Sequence, residues 1–297
     1  MDTVTANGIA IAFETFGAAD AAPMLLISGL GTQMIRWDDG FCRALAACGY
    51  RVIRFDNRDA GLSTHLGDLP SPDFGALAAS LMAGVRPEVP YTLLDMTADA
   101  VGLLDALGIE RAHVVGRSMG GMIAQCMAAE YPGRVRSLVS IMSSTGNPDL
   151  PQAAPEVMAL MQRPRPDPVT DPEGFAEVSI AFARCIAGSG APFDAEAQGT
   201  LALEEARRAH DPAGYGRQIA AMVMAGDRRA RLATVRAPTL VIHGANDPLI
   251  PPACGADTTG SVPGAEFLLI EGMGHDLPPA FWNRIVAAID ANAKRAA

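Results

Sequence analysis

The sequence predicts an α/β fold built on a doubly wound, mostly parallel β-sheet. Short β-rich apolar runs bounded by turn residues recur along the 297 residues, and most are separated by stretches with helical periodicity. The runs are almost continuously apolar, as expected of strands that are covered on both faces. A chain of this length can also bury the large core that such a sheet requires.

The strands and helices follow from these runs in chain order. The predicted strands are residues 3–5, 9–16, 24–28, 52–56, 112–116, 137–142, 239–243 and 266–270. Asn7-Gly8 separates the first two runs and is a tight-turn signal, so the sheet is expected to open with an antiparallel hairpin. Helical periodicity in residues 37–48 and 94–107 predicts crossover helices between parallel strands.

One connection is too long to be a simple crossover. Nearly a hundred residues separate Met142 from Thr239, whereas about a dozen can join two parallel strands. A proline-rich stretch comes first, and three helix-start signals follow, at Thr170 with Glu173 as a capping box, at Asp194 and at Asp211-Pro212. We therefore predict a helical lid over residues 144–230, inserted into a core formed by residues 1–143 and 231–297. Helices that only pad the fold are the alternative.

Composition and charge exclude several classes of function. The 23 basic and 33 acidic residues give a net charge of −10, which disfavours nucleic acid and anionic lipid as partners. Lys294 is the only lysine and follows no glycine-rich loop, so a P-loop nucleotide site is excluded. No signal peptide or membrane span is recognisable. The five scattered cysteines indicate reduced core thiols, and we expect a cytoplasmic protein.

A nucleophile motif stands at one strand-to-helix junction. Gly116-Arg117-Ser118-Met119-Gly120 is the only Gly-x-Ser-x-Gly in the chain, between a predicted strand and the helical stretch 119–131. The turn holds the serine in a strained conformation, and the flanking glycines leave room for it. Its hydroxyl then projects at the carboxyl end of the sheet, where doubly wound folds bind ligands. Ser118 is therefore the predicted nucleophile.

A serine hydroxyl needs a base near neutral pKa to become reactive. Of the five histidines, His275 follows the strand run 266–270 in a glycine-bearing loop, which places an imidazole at the carboxyl edge of the sheet. The others are expected to be core or backbone-bonding in strands (His113 and His243) or solvated in loops (His65 and His210).

The acid that orients the base has two candidates. Asp247 follows the strand run 239–243 through Gly244-Ala245-Asn246, next to the strand that precedes His275. Asp276 is adjacent to His275 in the chain, which usually turns the two side chains apart. We favour Asp247, and the chain order Ser118, Asp247, His275 is that of the α/β-hydrolases.

The chain resembles the α/β-hydrolases over nearly its whole length. Besides the predicted triad, the similarity lies in Ile27-Ser-Gly-Leu-Gly31, in Asp56-Asn-Arg-Asp-Ala-Gly-Leu-Ser63 and in His243-Gly-Ala-Asn-Asp247. Within the superfamily, Trp37-Asp38 and residues 56–63 and 116–121 most resemble the aclacinomycin methylesterase type, which cleaves a methyl ester from a polycyclic polyketide. We expect the segment 56–63 to be structural.

An oxyanion hole needs two backbone N–H donors. Met119 supplies one at the first turn of a helix, where the dipole also favours negative charge. The resemblance assigns the second donor to the loop after the third predicted strand, where the matching residue is Leu30 and Gly29 is the alternative. Ser28 stands where the family usually has histidine, a change that a backbone donor survives.

The substrate pocket has five candidate residues, which are Met34, Trp37, Arg117, Met142 and Met222. Arg117, beside the nucleophile, either contacts substrate or only fills its own site. The methionines, together with Met158, Met161 and Met224, either line an adaptable apolar pocket or belong to the core.

These residues predict a serine hydrolase that needs no cofactor. It would cleave a carboxylic ester of a small to medium, largely apolar substrate through an acyl-enzyme intermediate. A metal site is not expected, because the sequence has no His-x-x-x-His or Cys-x-x-Cys pair. The alternatives are a carbon–carbon bond hydrolase or an acyltransferase with the same triad, or a ligand receptor on the same fold. Homo-oligomerisation stays open.

Overall fold

The computed structural model describes residues 1–296 and contains one mixed β-sheet flanked by helices. The strands are β1 (Asp2–Ala6), β2 (Ile9–Phe16), β3 (Ala22–Ile27), β4 (Tyr50–Phe55), β5 (Ala112–Arg117), β6 (Val135–Ile141), β7 (Thr239–Gly244) and β8 (Glu266–Ile270). The helices are α1 (Asp39–Ala47), α2 (Phe74–Met82), α3 (Leu93–Ala106), α4 (Met119–Glu130), α5 (Pro155–Met161), α6 (Pro172–Ile186), α7 (Ala195–Arg208), α8 (Pro212–Ala225), α9 (Arg229–Leu232), α10 (Pro252–Ser261) and α11 (Pro279–Lys294).

The sheet has the strand order β1-β2-β4-β3-β5-β6-β7-β8. β1 and β2 form the predicted antiparallel hairpin, with Asn7 and Gly8 both at positive φ in its turn. β2 pairs antiparallel with β4, and every later pair in the sheet is parallel. The predicted fold class is therefore confirmed, and the carboxyl ends of β3 to β8 meet at one edge.

Apolar side chains fill both faces of the sheet. On one face, helices α3 and α4 pack on the strands, with Leu104 and Ile123 completely buried. On the other face, α1 and α11 supply Phe41 and Ile289 to a second cluster. Because both faces are covered, the central strands read as continuous apolar runs. No helix within residues 1–296 combines the length and apolarity needed to cross a bilayer.

Helices α5 to α9 fill the long connection between β6 and β7. Two of the three predicted helix starts occur as expected, since Asp194 caps α7 and Asp211 caps α8. The predicted capping box at Thr170 does not form. Asp171 caps α6 instead and accepts the Gly174 amide, while the Thr170 hydroxyl donates to Asp167. Pro172 at the first helical position explains the shift, because proline is favoured there.

Helices α2, α5, α9, α10 and α11 lie where no particular helix was predicted. α5 begins at Pro155 within the proline-rich stretch, and α2 lies in the segment after β4. α9 crosses the predicted lid boundary at residue 230 and contacts α4 and α10 of the core. The proline-rich composition concealed α5 in the sequence. The helix forms nevertheless, because proline is compatible with a first helical turn.

The segment 56–63 anchors the inserted helices to the sheet. Buried Asp56 accepts the amides of Met34 at 2.6 Å and Leu62 at 2.9 Å, and it pairs with Arg208 of α7 at 3.0 Å. Buried Asp59 forms a two-point ion pair with Arg217 of α8. The segment is thus structural, and it also fixes the position of α7 and α8 over the sheet.

Candidate active site

Ser118 occupies a sharp turn between β5 and α4. Its backbone has φ 57° and ψ −123°, a conformation that is strained for a residue with a side chain. The turn is held by the Ser118 amide, which donates to the Ile141 carbonyl at 2.9 Å, and by the Ser143 hydroxyl, which donates to the Ser118 carbonyl at 2.8 Å. A Cβ on Gly116 would overlap the Gly120 backbone, so the motif glycines are required by close approach.

His275 lies in the loop after β8, with its ring in hydrogen-bond contact with Ser118. Nε2 of His275 is 3.1 Å from the Ser118 hydroxyl oxygen, and Nδ1 is 2.7 Å from Asp247 Oδ2. The tautomer that fits has Nδ1–H donating to the carboxylate and Nε2 accepting from the hydroxyl. The His275 amide donates to the Ile186 carbonyl of α6 at 2.7 Å, so the inserted helices help to fix the loop.

Two glycines of the insertion make this contact possible. Gly188 and Gly190 lie against the 272–274 backbone, and a Cβ on Gly188 would overlap the Gly272 carbonyl. The Gly190 amide donates to that same carbonyl at 2.8 Å. Our sequence reasoning missed these residues, although Gly188-Ser189-Gly190 between two helices was a detectable signal.

Asp247 is buried at the carboxyl end of β7 and has several hydrogen-bond partners. Its Oδ1 accepts the amides of Leu249 and Ile250, each at 2.9 Å, while Oδ2 faces His275. Burial raises the pKa of Asp247, but the charge of His275 and the hydrogen bonds from His243, His275 and Ile250 outweigh it and lower the pKa to about 2. Asp247 is therefore an ionised carboxylate directed at the imidazole.

Asp276 is in a different environment. It forms no hydrogen bond with the His275 ring, and its buried Oδ1 has no hydrogen-bond partner among residues 1–296. Burial raises the pKa of this carboxyl, opposed by the charge of Arg117. Of the two candidate acids, the structure brings Asp247 to His275.

Two loop segments converge beside Ser118. A Cβ on Gly29 would come within 3.3 Å of the Ser118 Cβ, so the loop after β3 passes directly beside the hydroxyl. Met119 is the first residue of α4, and its amide has no partner within the helix. The neighbouring Gly31 amide is already engaged, since it donates to Gln218 Oε1 at 2.8 Å.

Gln218 is a residue that our sequence reasoning missed. It is fully buried on α8, and its Nε2 also donates to the Arg58 carbonyl at 2.8 Å. Gln218 therefore fixes the loop that contains Leu30. The available signal was a pair of polar residues, Arg217 and Gln218, before the apolar end of a predicted helix.

Ser118 and His275 open into a cavity of about 590 Å³ between the sheet edge and helices α5 to α8. This size is typical of a site for a small molecule. Its apolar wall comprises Leu30, Met122, Met161, Phe175, Phe182, Ile186, Tyr215, Met222, Leu249 and Ile250. Its charged and ionisable side chains are Arg36, Asp59, His65, Arg117, Arg163, Arg165, Glu205, His210 and Asp211.

Three of the five predicted pocket residues do not line this cavity. Arg117 and Met222 do, but Met34, Trp37 and Met142 are buried elsewhere. Trp37 and Met142 belong to the apolar cluster between the sheet and α1, where Trp37 stacks on Phe41. These residues lie near strand ends in the sequence, but that position does not determine on which side of the backbone a side chain lies.

Of the remaining methionines, some line the cavity and others lie outside it. Met161 lines the cavity, whereas Met158 is exposed and Met224 lies at a separate groove with residues 86–89. Met122 of α4 lines the cavity although it was not among the predicted pocket residues.

Two of the other histidines are bonded in the core, as expected for strand residues. His113 contacts the Ser137 hydroxyl and its pKa is lowered to about 4 by burial and by Arg136. His243 donates to the Ile250 carbonyl. The expectation of a solvated His65 is wrong: Nδ1 lies 3.0 Å from Asp211 and Nε2 lies 2.8 Å from the Gly61 carbonyl. The docking of α8 brings Asp211 to it.

Comparison with known families agrees with this architecture. A sequence profile described as the alpha/beta hydrolase fold matches residues 22–278. The chain belongs to the α/β-hydrolase family. The match includes Ser118, Asp247 and His275 and most of the strands of the sheet.

Individual relatives show which members of the family this chain resembles. This α/β-hydrolase is 30% identical to the rhodomycin D methylesterase of Streptomyces peucetius over 316 residues, covering 99% of this chain and 98% of the relative. A second rhodomycin D methylesterase, from Streptomyces sp. strain C5, is equally similar. The resemblance to the aclacinomycin methylesterase type is thereby confirmed. A 2-hydroxy-6-oxononadienedioate/2-hydroxy-6-oxononatrienedioate hydrolase of Paraburkholderia phymatum is 30% identical over 255 residues, covering 85% and 80% of the two chains.

Solved structures share the fold of this α/β-hydrolase. A meta-cleavage product hydrolase from Pseudomonas fluorescens IP01 superimposes with a TM-score of 0.75 at 20% identity, covering 100% of this chain and 98% of the other. An esterase from Thermogutta terrifontis gives 0.67 at 25% identity, covering 100% and 99%.

Proposed function

We propose that this α/β-hydrolase is a serine esterase that cleaves a carboxylic ester of a small to medium, largely apolar substrate through an acyl-enzyme. The observation that carries the proposal is the continuous hydrogen-bond chain from the Ser118 hydroxyl through His275 to Asp247, at 3.1 and 2.7 Å, with Ser118 and His275 lining the cavity. A nucleophile, a base and an orienting acid in this geometry are the requirements of acyl transfer.

The reaction begins when the Ser118 oxygen attacks the ester carbonyl carbon and its proton moves to His275 Nε2. The imidazolium that forms is stabilised by ionised Asp247. His275 then gives the proton to the leaving alcohol, and an acyl-enzyme remains. Water attacks the acyl carbon with His275 again as base, which releases the carboxylic acid and regenerates Ser118.

The tetrahedral intermediates carry a negative oxygen that needs hydrogen-bond donors. We assign this role to the amides of Met119 and Leu30. Met119 stands at the amino end of α4, where the helix dipole favours negative charge. The loop containing Leu30 is adjacent to Ser118 and is held by Gln218.

Residues 144–230 act in this proposal as the predicted lid. Helices α5, α6 and α8 supply Met161, Phe175, Phe182 and Met222 to the cavity wall. Apolar walls of this kind exclude water and select substrates by size.

A fluorophosphonate probe together with a set of p-nitrophenyl esters tests the proposal. We expect repeated turnover by the wild-type protein and labelling of Ser118, with both lost in Ser118→Ala. Ser261→Ala is the matched control, because its hydroxyl is bonded to the Asp257 carbonyl on α10, outside the cavity. Labelling that persists in folded Ser118→Ala, or a single turnover without release, would contradict an esterase.

A carbon–carbon bond hydrolase is the second candidate function. It is favoured by the 30% identity to the Paraburkholderia phymatum enzyme, whose name denotes a hydroxy-oxo-dienedioate substrate. The two candidates are separated by comparing kcat/KM for the ester set with kcat/KM for a hydroxy-oxo-dienoate, whose conjugated chromophore is lost on cleavage. We expect the esters to be the better substrates.

A further inference from the structure

The cavity carries an excess of cationic side chains, although the whole chain has a net charge of −10. Arg36, Arg117, Arg163 and Arg165 line it, against the three carboxylates Asp59, Glu205 and Asp211. A cationic cavity in an acidic protein attracts anions locally against the mean field of the surface.

The carboxylates of the cavity wall are already paired within the protein. Asp59 accepts two hydrogen bonds at 2.8 Å from Arg217, and Asp211 accepts one at 3.0 Å from the same guanidinium. Glu205 pairs with Arg36 at 2.6 Å. Each of the three carboxylates therefore already has a guanidinium partner within the protein, with Arg217 shared by Asp59 and Asp211.

Arg117 is the exception on the cationic side. It is half-buried beside Ser118, and its side chain forms no hydrogen bond or ion pair with any of residues 1–296. Burial, followed by the charge of Arg36, lowers its pKa to about 10, with Asp276, Glu205 and Asp247 acting in the opposite direction. The guanidinium therefore stays protonated at neutral pH, partly desolvated and without a direct partner.

None of the neighbouring carboxylates forms an ion pair with Arg117. Glu205 is paired with Arg36, and Asp247 is bonded to His275. Asp276 is close enough to influence the pKa of Arg117, yet the two form no ion pair. A group that supplied hydrogen-bond acceptors from the cavity side would relieve the desolvation of Arg117.

We propose that Arg117 binds a carboxylate of the substrate, so that the ester cleaved by this protein is itself an anion with its carboxylate close to the scissile bond. A guanidinium offers donors in a planar fork that matches a carboxylate. Arg163 and Arg165 are exposed and unpaired on the cavity wall among the described residues, and they attract the anion on its way in. The apolar wall takes the rest of the substrate.

This inference rests on the proposed esterase function and deepens it by naming the charge of the substrate. It also makes Arg117 a determinant of specificity that acts by binding. A neutral ester of the same size would leave the guanidinium desolvated and unpaired, which is how a buried polar group discriminates against a ligand that lacks its partner.

Matched pairs of esters test the inference. The acyl pair is mono-p-nitrophenyl adipate and p-nitrophenyl hexanoate, and the alcohol pair is m-carboxyphenyl butyrate and phenyl butyrate, each corrected for spontaneous hydrolysis. The readout is the ratio of kcat/KM for the anionic ester to kcat/KM for the neutral ester. We expect at least one pair to favour the anion in the wild type, and Arg117→Met to lower that ratio by about tenfold or more.

Arg236→Met is the control, because Arg236 is exposed just before β7 and its removal changes the net charge equally. The ratio should be the same in this variant as in the wild type, and Arg117→Lys should retain part of the preference. A wild-type ratio below one for both pairs, or a ratio that Arg117→Met leaves unchanged, would overturn the inference while the esterase proposal stood.

Binding measured without turnover separates the two proposals. Calorimetry on Ser118→Ala with monomethyl adipate and methyl hexanoate reports the charge preference even if no ester is hydrolysed. We expect the anion to bind more tightly, and the preference to be lost in the double variant with Arg117→Met. Equal binding of the two esters to Ser118→Ala would also overturn the inference.

Discussion

Oδ2 of Asp247 lies 2.7 Å from Nδ1 of His275, although 28 residues separate the two in the chain. The contact arises because the loops after β7 and β8 emerge side by side at the carboxyl edge of the sheet. Asn246 reinforces it, since its side chain accepts the Gly272 amide at 3.0 Å and its own amide donates to the Met273 carbonyl at 2.9 Å. These two hydrogen bonds therefore hold the loops after β7 and β8 in a fixed position relative to each other.

Asp247→Asn should lower kcat by about 10⁴-fold, because the amide cannot keep the imidazole in the required tautomer or stabilise its cation. Asp276→Asn should cost only about tenfold, through local charge and packing. The measurement is kcat for both purified variants with one p-nitrophenyl ester, after circular dichroism has shown that both are folded. A larger loss in Asp276→Asn would reverse the assignment of the acid.

Gly120→Ala should destabilise the protein by about 2 kcal/mol or more, because the new methyl group would overlap the carbonyl oxygens of Ile27 and Ser28 at the end of β3. Gly133→Ala is the matched control, since a Cβ there meets no atom within 4 Å and its φ is not positive. Urea unfolding monitored by fluorescence gives both free energies. Equal effects in the two variants would show that α4 can move away from β3.

His65 should stabilise the fold most at acidic pH. Burial opposes its charge, but the Gly61 carbonyl and Asp211 raise its pKa above the usual value. The stabilisation is therefore fully present below the unfolded pKa of about 6.5 and is lost as the pH rises through the folded value. We expect His65→Gln to reduce the free energy of unfolding more at about pH 5.5 than at about pH 9.

The size of this effect is limited to about 1 kcal/mol, because the His65 side chain is partly exposed to solvent. His210→Gln is the control, since His210 is exposed and its ring meets the ring of Phe175 in a T-shaped contact. Urea unfolding of the three proteins at both pH values measures the difference. A loss in His65→Gln that does not change with pH would mean that the contact is not a charged one.

Removal of divalent metal should leave ester hydrolysis unchanged. Within residues 1–296, the one cluster with metal-ligand geometry is Asp59, His65 and Asp211, whose ligand atoms lie within 4.8 Å of one another. The Arg217 guanidinium already bonds both carboxylates, so each has a cationic partner without a metal. Dialysis against EDTA followed by kcat/KM measurement checks this, and activity that only added zinc restores would refute it.

The apolar wall from the inserted helices should set the length of the preferred acyl chain. Phe182→Ala enlarges the cavity, so we expect the optimum in a series of p-nitrophenyl esters to move to longer acyl chains. Val169→Ala is the control, because Val169 belongs to the same insertion and is 86% exposed. Activity should also show no jump at the critical micelle concentration; such a jump would indicate a lipase-type surface mechanism.

Much of the fold could be predicted because local patterns report burial directly. The predicted strand runs differ from β1 to β8 by at most two residues at either end, since each run is covered on both faces or bounded by clear turn signals. The helix start at Thr170 was assigned one residue too early, where a capping-box pattern competed with Asp171 before a proline. Helix α2 was missed because residues 74–82 are apolar nearly all round and show no polar face.

The sequence by itself determined which residues end the strands, and this is sufficient to place Ser118, Asp247 and His275 at one edge of the sheet. Parallel strands share a carboxyl edge, so order along the chain was sufficient for that inference. The tertiary structure alone decided the rest of the site: that Met34, Trp37 and Met142 are turned away from the cavity, that Asp211 meets His65, and that Arg117 is left without a partner. These outcomes depend on how the inserted helices dock on the sheet, and contacts between distant segments leave no periodic trace in the sequence.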